Sequence, residues 1–159
     1  MNYLMWPAAD GATTSASPAS RHMDSDASRL RLEDLVRSVW EGLEIPGTAQ
    51  DYHFLLQGAV TQLWSRRRRE PAGLRMAETF GYLDLALLEA LPRTAWRNDG
   101  DPDGGFLRIT SLERLVTLLE REGALREALA LSRRAQRFGD VYRSEELEAK
   151  VAALDEELR

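Results

Sequence analysis

The sequence contains no cysteine, and its 159 residues include only one lysine, Lys150, and two histidines, His22 and His53. The lack of cysteine excludes disulfide bonds, thiolate metal sites and a cysteine nucleophile. The sequence also lacks the fingerprints of nucleophile-elbow hydrolases, zinc proteases, P-loop enzymes and dinucleotide-binding domains. We therefore expect a protein that is not an enzyme and that holds neither a cofactor nor a metal ion.

Long apolar runs are absent as well. No run approaches the roughly 18 residues of a transmembrane helix, and the first residues have no basic and apolar regions like those of a signal peptide. These absences predict a cytoplasmic protein without membrane contacts. The net charge of −5 and the pI of about 5.2 argue against a general nucleic-acid binder. The basic residues are almost all arginine, a skew that is typical of a GC-rich bacterial genome.

Apolar residues recur at helical spacing through most of the chain after residue 28. The pattern predicts helices over about 29–43, from 48 to the arginines at 66–69, over about 71–91, over 110–139 in two pieces, and over about 141–158. The helix over 71–91 has two apolar stripes, so we expect it to lie centrally between neighbours. We therefore predict an all-α fold of about six helices in antiparallel hairpins, forming either a stack or a compact bundle.

The chain divides into two parts at about residue 28. Residues 1–28 include the low-complexity stretch ATTSASPAS, which cannot bury enough apolar surface to offset the entropy of ordering. We predict a disordered N-terminal tail over 1–28 and a single all-helical domain over 29–159. Met23 is an alternative start of the protein, and the residues around Trp6 would suit a short docking motif.

Residues 110–139 have the clearest pattern in the chain. Thr110 and Glu113 have the T-x-x-E spacing of a capping box, and Thr48 with Asp51 is a second candidate at an earlier helix. Gly123 stands where a helix would end in the left-handed conformation. Apolar and small residues recur at helical spacing on both sides of that glycine: Leu112, Leu115, Val116, Leu119, Leu125, Ala128, Leu129 and Ala135. Two helices joined this closely must pack on each other, and Ala128 and Ala135 allow their backbones to approach.

The spacing of seven of these residues resembles one tetratricopeptide (TPR) repeat: Leu112, Leu115, Leu119, Gly123, Leu125, Ala128 and Ala135. The segment G-x-L-x-E-A-L at residues 123–129 matches best. The sequence departs from the family pattern at three positions. Val116 stands where a small residue is usual, Ser132 where an aromatic residue is usual, and Asp140 where a proline often closes the repeat. The resemblance implies a right-handed stack of helical hairpins that serves as a protein–protein interaction module, a scaffold or an adaptor.

The resemblance also implies a binding face. In the family the first helix of a hairpin faces the concave groove, and the matching positions here are Glu113, Thr117, Glu120 and Arg121. These side chains would suit a polar or charged peptide of another protein, with Arg121 pairing to a carboxylate. The alternative is an ordinary solvated helix face. A groove formed by so few hairpins would be shallow. Self-association through the helix over 141–158, or through the residues near Trp6, would complete it.

Two charged segments offer alternative functions. Residues 99–106 begin like an EF-hand calcium loop, D-x-D-x-D-G, but Thr110 stands at the twelfth position, where a bidentate glutamate is expected. We therefore expect calcium to bind weakly or not at all. Arg66, Arg67, Arg68 and Arg69 form either a phosphate or nucleic-acid patch or the solvated end of a helix, where the helix dipole favours cations.

His53 is the single histidine of the predicted helical domain. A lone histidine near a helix start is predicted to be a surface or capping residue rather than a catalyst or a ligand. Trp40, Trp64 and Trp96 are predicted to be aromatic residues of the core or its rim.

Overall fold

The computed structural model describes residues 4–22, 26–92 and 109–159. Within these ranges strand β1 (Trp6–Pro7) pairs antiparallel with strand β2 (Thr13–Thr14). Seven α-helices follow: α1 (Pro18–His22), α2 (Leu32–Glu44), α3 (Ala49–Ser65), α4 (Leu74–Ala90), α5 (Thr110–Arg121), α6 (Leu125–Ala135) and α7 (Glu145–Glu157). The predicted all-α fold is confirmed, and the six predicted helices correspond to α2 through α7. None of the described helices is both long and apolar enough to cross a membrane.

The starts of α3 and α5 show how local and tertiary contacts compete. The capping box predicted at Thr48 is confirmed: Thr48 Oγ1 accepts a hydrogen bond from the Asp51 N–H (3.2 Å), and Asp51 Oδ2 accepts one from the Thr48 N–H (2.8 Å). The capping box predicted at Thr110 and Glu113 is wrong. Thr110 is the first residue of α5, and its N–H donates to Gln57 Oε1 on α3, 3.0 Å away. A side chain from another helix therefore satisfies the donor that Glu113 was expected to satisfy.

Short turns separate the last three helices. Gly123 has a φ of +79° between α5 and α6, which confirms the left-handed position predicted there. Two single 3₁₀ turns, Gln136–Phe138 and Asp140–Tyr142, flank Gly139, whose φ is +148°. Because these turns occupy the segment up to residue 142, α7 begins later than predicted. Its N-cap is Ser144, whose Oγ accepts a hydrogen bond from the Leu147 N–H (3.2 Å).

Contacts between side chains place the long helices in two layers. In one layer α3 and α5 run parallel, because Gln57 contacts Thr110 at the start of α5 and Trp64 contacts Arg121 at its end. In the other layer α4 lies beside α6, where Glu89 forms an ion pair with Arg134. Neighbours in sequence, such as α3 with α4 and α5 with α6, pack across the two layers. Whether this stack has the tetratricopeptide geometry stays a prediction.

The core consists of two buried clusters that share α4. The first joins α2, α3 and α4 through Leu35, Val39, Leu56, Ala59, Val60, Leu63, Ala77 and Phe80. The second joins α4 to α5, α6 and α7, and its members include Leu85, Leu88, Leu112, Leu115, Leu131 and Leu147. Since α4 contributes to both clusters, its predicted central position is confirmed. Ala128 and Ala135 are fully buried in the second cluster, as expected for close helix packing.

The apolar stripe predicted on the last helix is buried only in its first half. Leu147 and Val151 of α7 are buried, whereas Leu158, just after the helix, is 69% exposed. The remaining side chains of α7 include several exposed acids, so the helix has one apolar side and one charged side. This division is what the terminal element of a helical stack requires.

The described part of the N-terminal segment contacts the helical domain. Ser17 and Ala19 are buried. Ser17 Oγ donates to Asp51 Oδ2 (2.6 Å), and the Ala19 N–H donates to the Pro46 carbonyl oxygen (3.0 Å). His22 Nε2 lies 2.7 Å from the Ser38 carbonyl oxygen. The disorder expected over residues 1–28 stays a prediction. The contacts of Ser17, Ala19 and His22 with the helical domain were not predicted from the sequence.

Candidate functional site

Three arginines surround one tryptophan on the layer formed by α3 and α5. Trp64 lies in the last turn of α3 and is 7% exposed. The guanidinium carbon of Arg67, in the turn after α3, lies 4.6 Å from the centre of the Trp64 ring system, and those of Arg114 and Arg121 lie 5.5 Å from it. Arg114 and Arg121 are seven residues apart on α5 and therefore share one face of that helix. We call Arg67, Arg114 and Arg121 the arginine cluster.

The arginine cluster lacks carboxylate partners among the residues that the structure describes. Arg67 Nη1 donates to the Trp64 carbonyl oxygen (2.9 Å), and no ion pair involves Arg114 or Arg121 within those residues. Each cation–π contact with the tryptophan ring stabilises its guanidinium by about 0.5–2 kcal/mol but leaves the positive charge in place. All three guanidinium carbons lie within 5.5 Å of the same ring, so the three like charges are close enough to repel one another. A bound anion would relieve their repulsion.

The four consecutive arginines do not form one patch. Arg66 is buried, and its guanidinium donates hydrogen bonds to the carbonyl oxygens of Leu30 (2.6 Å), Ala27 (2.8 Å) and Ser28 (3.0 Å). It therefore holds the segment before α2 against the end of α3. Arg67 belongs to the arginine cluster, whereas Arg68 and Arg69 are exposed. The prediction of a solvated helix end is wrong for Arg66, because backbone carbonyls replace water around its guanidinium.

The four residues predicted to bind a partner all lie on α5, but they divide between its two sides. Arg121 faces α3 and belongs to the arginine cluster. Glu120 faces α7, where its Oε1 lies 3.4 Å from Lys150 Nζ. Thr117 is exposed between them, and its Oγ1 donates to the Glu113 carbonyl oxygen (2.9 Å). Their role in binding stays a prediction.

A buried polar link joins α3, α4 and α5. His53 Nδ1 lies 2.7 Å from Asp84 Oδ1, and Ser111 Oγ donates to Asp84 Oδ2 (2.5 Å). His53 is 5% exposed, and Asp84 and Ser111 are fully buried. The prediction that His53 is a surface or capping residue is wrong, because the carboxylate of α4 lies opposite its ring. Asp84 offered a signal, since a carboxylate between the apolar stripes of a central helix must be paired.

The order of hydrogen bonds in this link differs from that of a nucleophilic triad. In such a triad the hydroxyl is bonded to the imidazole, and the carboxylate to the other ring nitrogen. Here the Ser111 hydroxyl and the His53 imidazole are both bonded to the carboxylate of Asp84. The imidazole therefore does not activate the hydroxyl, and the arrangement fixes three helices relative to one another.

A separate cleft of ≈ 320 Å³ lies between the segment at residues 26–28 and the helices α2 and α3. Its floor is apolar, with Leu35, Val39 and Ala59, and its polar side chains include Ser38 and Gln62. None of the residues predicted to bind a partner lines it.

The predicted acidic calcium loop at residues 99–106 and Trp96 lie outside the described residues, so weak or absent calcium binding stays a prediction. Across residues 4–22, 26–92 and 109–159, no group of three histidine, aspartate or glutamate side chains is placed to hold a metal ion.

Comparison with protein-family models, curated proteins and solved structures gives no match to this chain. The tetratricopeptide resemblance therefore depends on the residues of 110–139 alone.

Proposed function

We propose that this chain is a non-enzymatic protein-interaction module that binds an acidic segment of another protein at the arginine cluster. The observation that carries the proposal is the convergence of Arg67, Arg114 and Arg121 on Trp64 without a described carboxylate partner. Arginine binds carboxylates through two parallel hydrogen bonds, which suits it to aspartate and glutamate side chains. An extended acidic segment along the line between α3 and α5 would reach all three guanidinium groups.

The position of the cluster on the helices supports the proposal. Arg114 and Arg121 lie on a regular helix, and Arg67 directly follows another, so the charges are fixed by elements that pack into the core. Trp64 beneath them is almost fully buried and restricts the motion of the guanidinium groups. A preorganised set of donors loses less entropy when a ligand binds. The exposed Thr117 lies between the two arginines of α5 and offers a further polar contact.

A nucleic-acid partner fits the same residues less well. Proteins that bind single strands stack bases on exposed aromatic rings, whereas Trp64 is 7% exposed and already contacts three guanidinium groups. Arg66 is engaged with backbone carbonyl oxygens, so these N–H donors are not available to a phosphate group. The chain also carries a net charge of −5, which would repel a polyanion at long range.

The test is a titration of a fluorescently labelled glutamate-rich peptide, followed by anisotropy. We expect binding that weakens with salt and that falls about fivefold or more in Arg67→Gln and in Arg121→Gln, since a fivefold change is about 1 kcal/mol. Arg133→Gln is the matched control, because Arg133 is an exposed arginine on α6 in the other layer. Equal losses in the control, or tighter binding of a single-stranded oligonucleotide than of the peptide, would refute the proposal.

A further inference from the structure

An acidic strip lies on the other side of α5 from the arginine cluster. Glu120 of α5 contacts Lys150 of α7 at 3.4 Å, and Lys150 contacts Glu146 at 2.7 Å. Glu157 follows Lys150 by seven residues and shares its face of α7. We call Glu120, Glu146 and Glu157 the acidic strip. Lys150 compensates part of its charge, so the strip remains net negative.

The arginine cluster and the acidic strip divide one surface into a basic half and an acidic half. Arg114 and Arg121 extend from α5 toward α3, whereas Glu120 extends from α5 toward α7. The boundary between the halves is therefore the exposed edge of α5 itself, which carries Thr117. Helices α3, α5 and α7 all contribute to this surface.

We infer that the partner which fits this whole surface is a second copy of the chain, related by a two-fold axis that runs over the exposed edge of α5 and parallel to the helix. A two-fold rotation about the boundary places the basic half of each copy on the acidic half of the other. The interface is then isologous, because the same patch serves both copies. This inference builds on the proposed function, since it assigns the arginine cluster a carboxylate partner in the acidic strip of the other copy.

Charge complementarity favours a second copy over an unrelated acidic segment. An acidic segment from another protein that lies between α3 and α5 would satisfy Arg67, Arg114 and Arg121 but would make no contact with the acidic strip. A second copy satisfies both halves in one contact, because the net negative strip of each copy faces the arginine cluster of the other. Because the contacts are between exposed charges, the dimer is weak and sensitive to salt.

The test is sedimentation velocity of the full chain over a wide concentration range at low and high salt. We expect a monomer–dimer equilibrium that shifts toward monomer between about 0.1 and 1 M salt, where the Debye length falls from about 10 to about 3 Å. Two charge-reversal variants make the test specific. Arg114→Glu with Arg121→Glu makes both halves acidic, and Glu146→Arg with Glu157→Arg makes both halves basic.

Each variant alone should be monomeric, with a dissociation constant raised about tenfold or more, because like charges then face each other across the axis. An equimolar mixture of the two variants should form a heterodimer. Arg133→Glu is the matched control and should dimerise like the unmodified chain. Circular dichroism of every variant checks that the helices remain folded.

Three results would overturn the inference: a chain that is monomeric at all concentrations in low salt, variants that still dimerise alone, or a mixture that does not associate. The proposed function is tested separately by the labelled glutamate-rich peptide. A monomeric chain that binds the peptide would retain the proposed function and lose the dimer. A dimer that the peptide does not compete with, and that survives both reversals, would place self-association elsewhere on the molecule.

Discussion

The substitution Asp84→Ala tests whether the buried link between α3, α4 and α5 stabilises the fold. The Asp84 carboxylate accepts hydrogen bonds from His53 at 2.7 Å and Ser111 at 2.5 Å. Removal of the carboxylate leaves two buried polar side chains without an acceptor, and each costs about 1–3 kcal/mol. We expect the free energy of unfolding to fall by about 3–5 kcal/mol, a lowering of the melting temperature by about 6–20 °C for a chain of this size.

The assay is urea unfolding followed by far-ultraviolet circular dichroism. The midpoint should fall while the slope of the transition stays unchanged, because the folded state remains compact. Asp34→Ala is the control, since Asp34 is a partly exposed aspartate paired with Arg37, and we expect it to change stability by less than about 1 kcal/mol.

A further variant separates the buried link from general damage to the core. Replacement of all three residues by apolar ones (His53→Leu, Asp84→Leu and Ser111→Ala) removes every polar group of the link together. The triple variant should lose less free energy of unfolding than Asp84→Ala does, because it leaves no polar group of the link without a hydrogen-bond partner. If Asp84→Ala costs less than about 1 kcal/mol, or if the triple variant is the less stable one, the reasoning about the link is wrong.

Two further predictions concern packing and pH. Ala128→Arg should lower the free energy of unfolding by several kcal/mol, because a charged side chain cannot be paired or accommodated at a fully buried alanine. Ala130→Arg, on the exposed side of α6, is the matched control. If the two variants have equal melting temperatures, Ala128 does not lie in the interface between α5 and α6. Burial raises the pKa of Asp51, but hydrogen bonds from Ser17 and Thr48 outweigh it and hold the pKa below the ordinary 3.8. A carboxylate with a lowered pKa stabilises the folded state fully above its unfolded pKa and loses this contribution as pH falls through the folded value. The amide resonance of Ala19 should therefore lose its native position on acidification below about pH 4, and Asp51→Asn should remove that dependence.

The sequence was sufficient for features that depend on residues close together in the chain. The apolar stripes located α2 through α7, and the two stripes on residues 71–91 placed α4 between neighbours. Gly123 and the Thr48 capping box were predicted because both are set by a few consecutive residues. The small Ala128 and Ala135 were correctly assigned to buried positions for the same reason: helical period alone decides which side of α6 they occupy.

The polar contacts could not be predicted in the same way. The contacts of Gln57 with Thr110 and of His53 with Asp84 depend on the position of one helix along the axis of its neighbour. An apolar stripe tolerates such shifts with little change, whereas a hydrogen bond fails when its atoms separate by an ångström. The arginine cluster has the same origin. Arg67 and Arg121 are distant in sequence, and both contact Trp64 only because α3 and α5 lie side by side.

The sharing of α4 between two core clusters has a consequence for how the chain folds. Every residue of the first cluster precedes the end of α4, so that cluster can bury its apolar surface before α5, α6 and α7 are available. Contacts between neighbouring helices close short loops and cost little entropy, which favours rapid folding. During synthesis from the N-terminus, we therefore expect α2 and α3 to fold onto α4 first. The last three helices would then pack on the side of α4 that is still exposed.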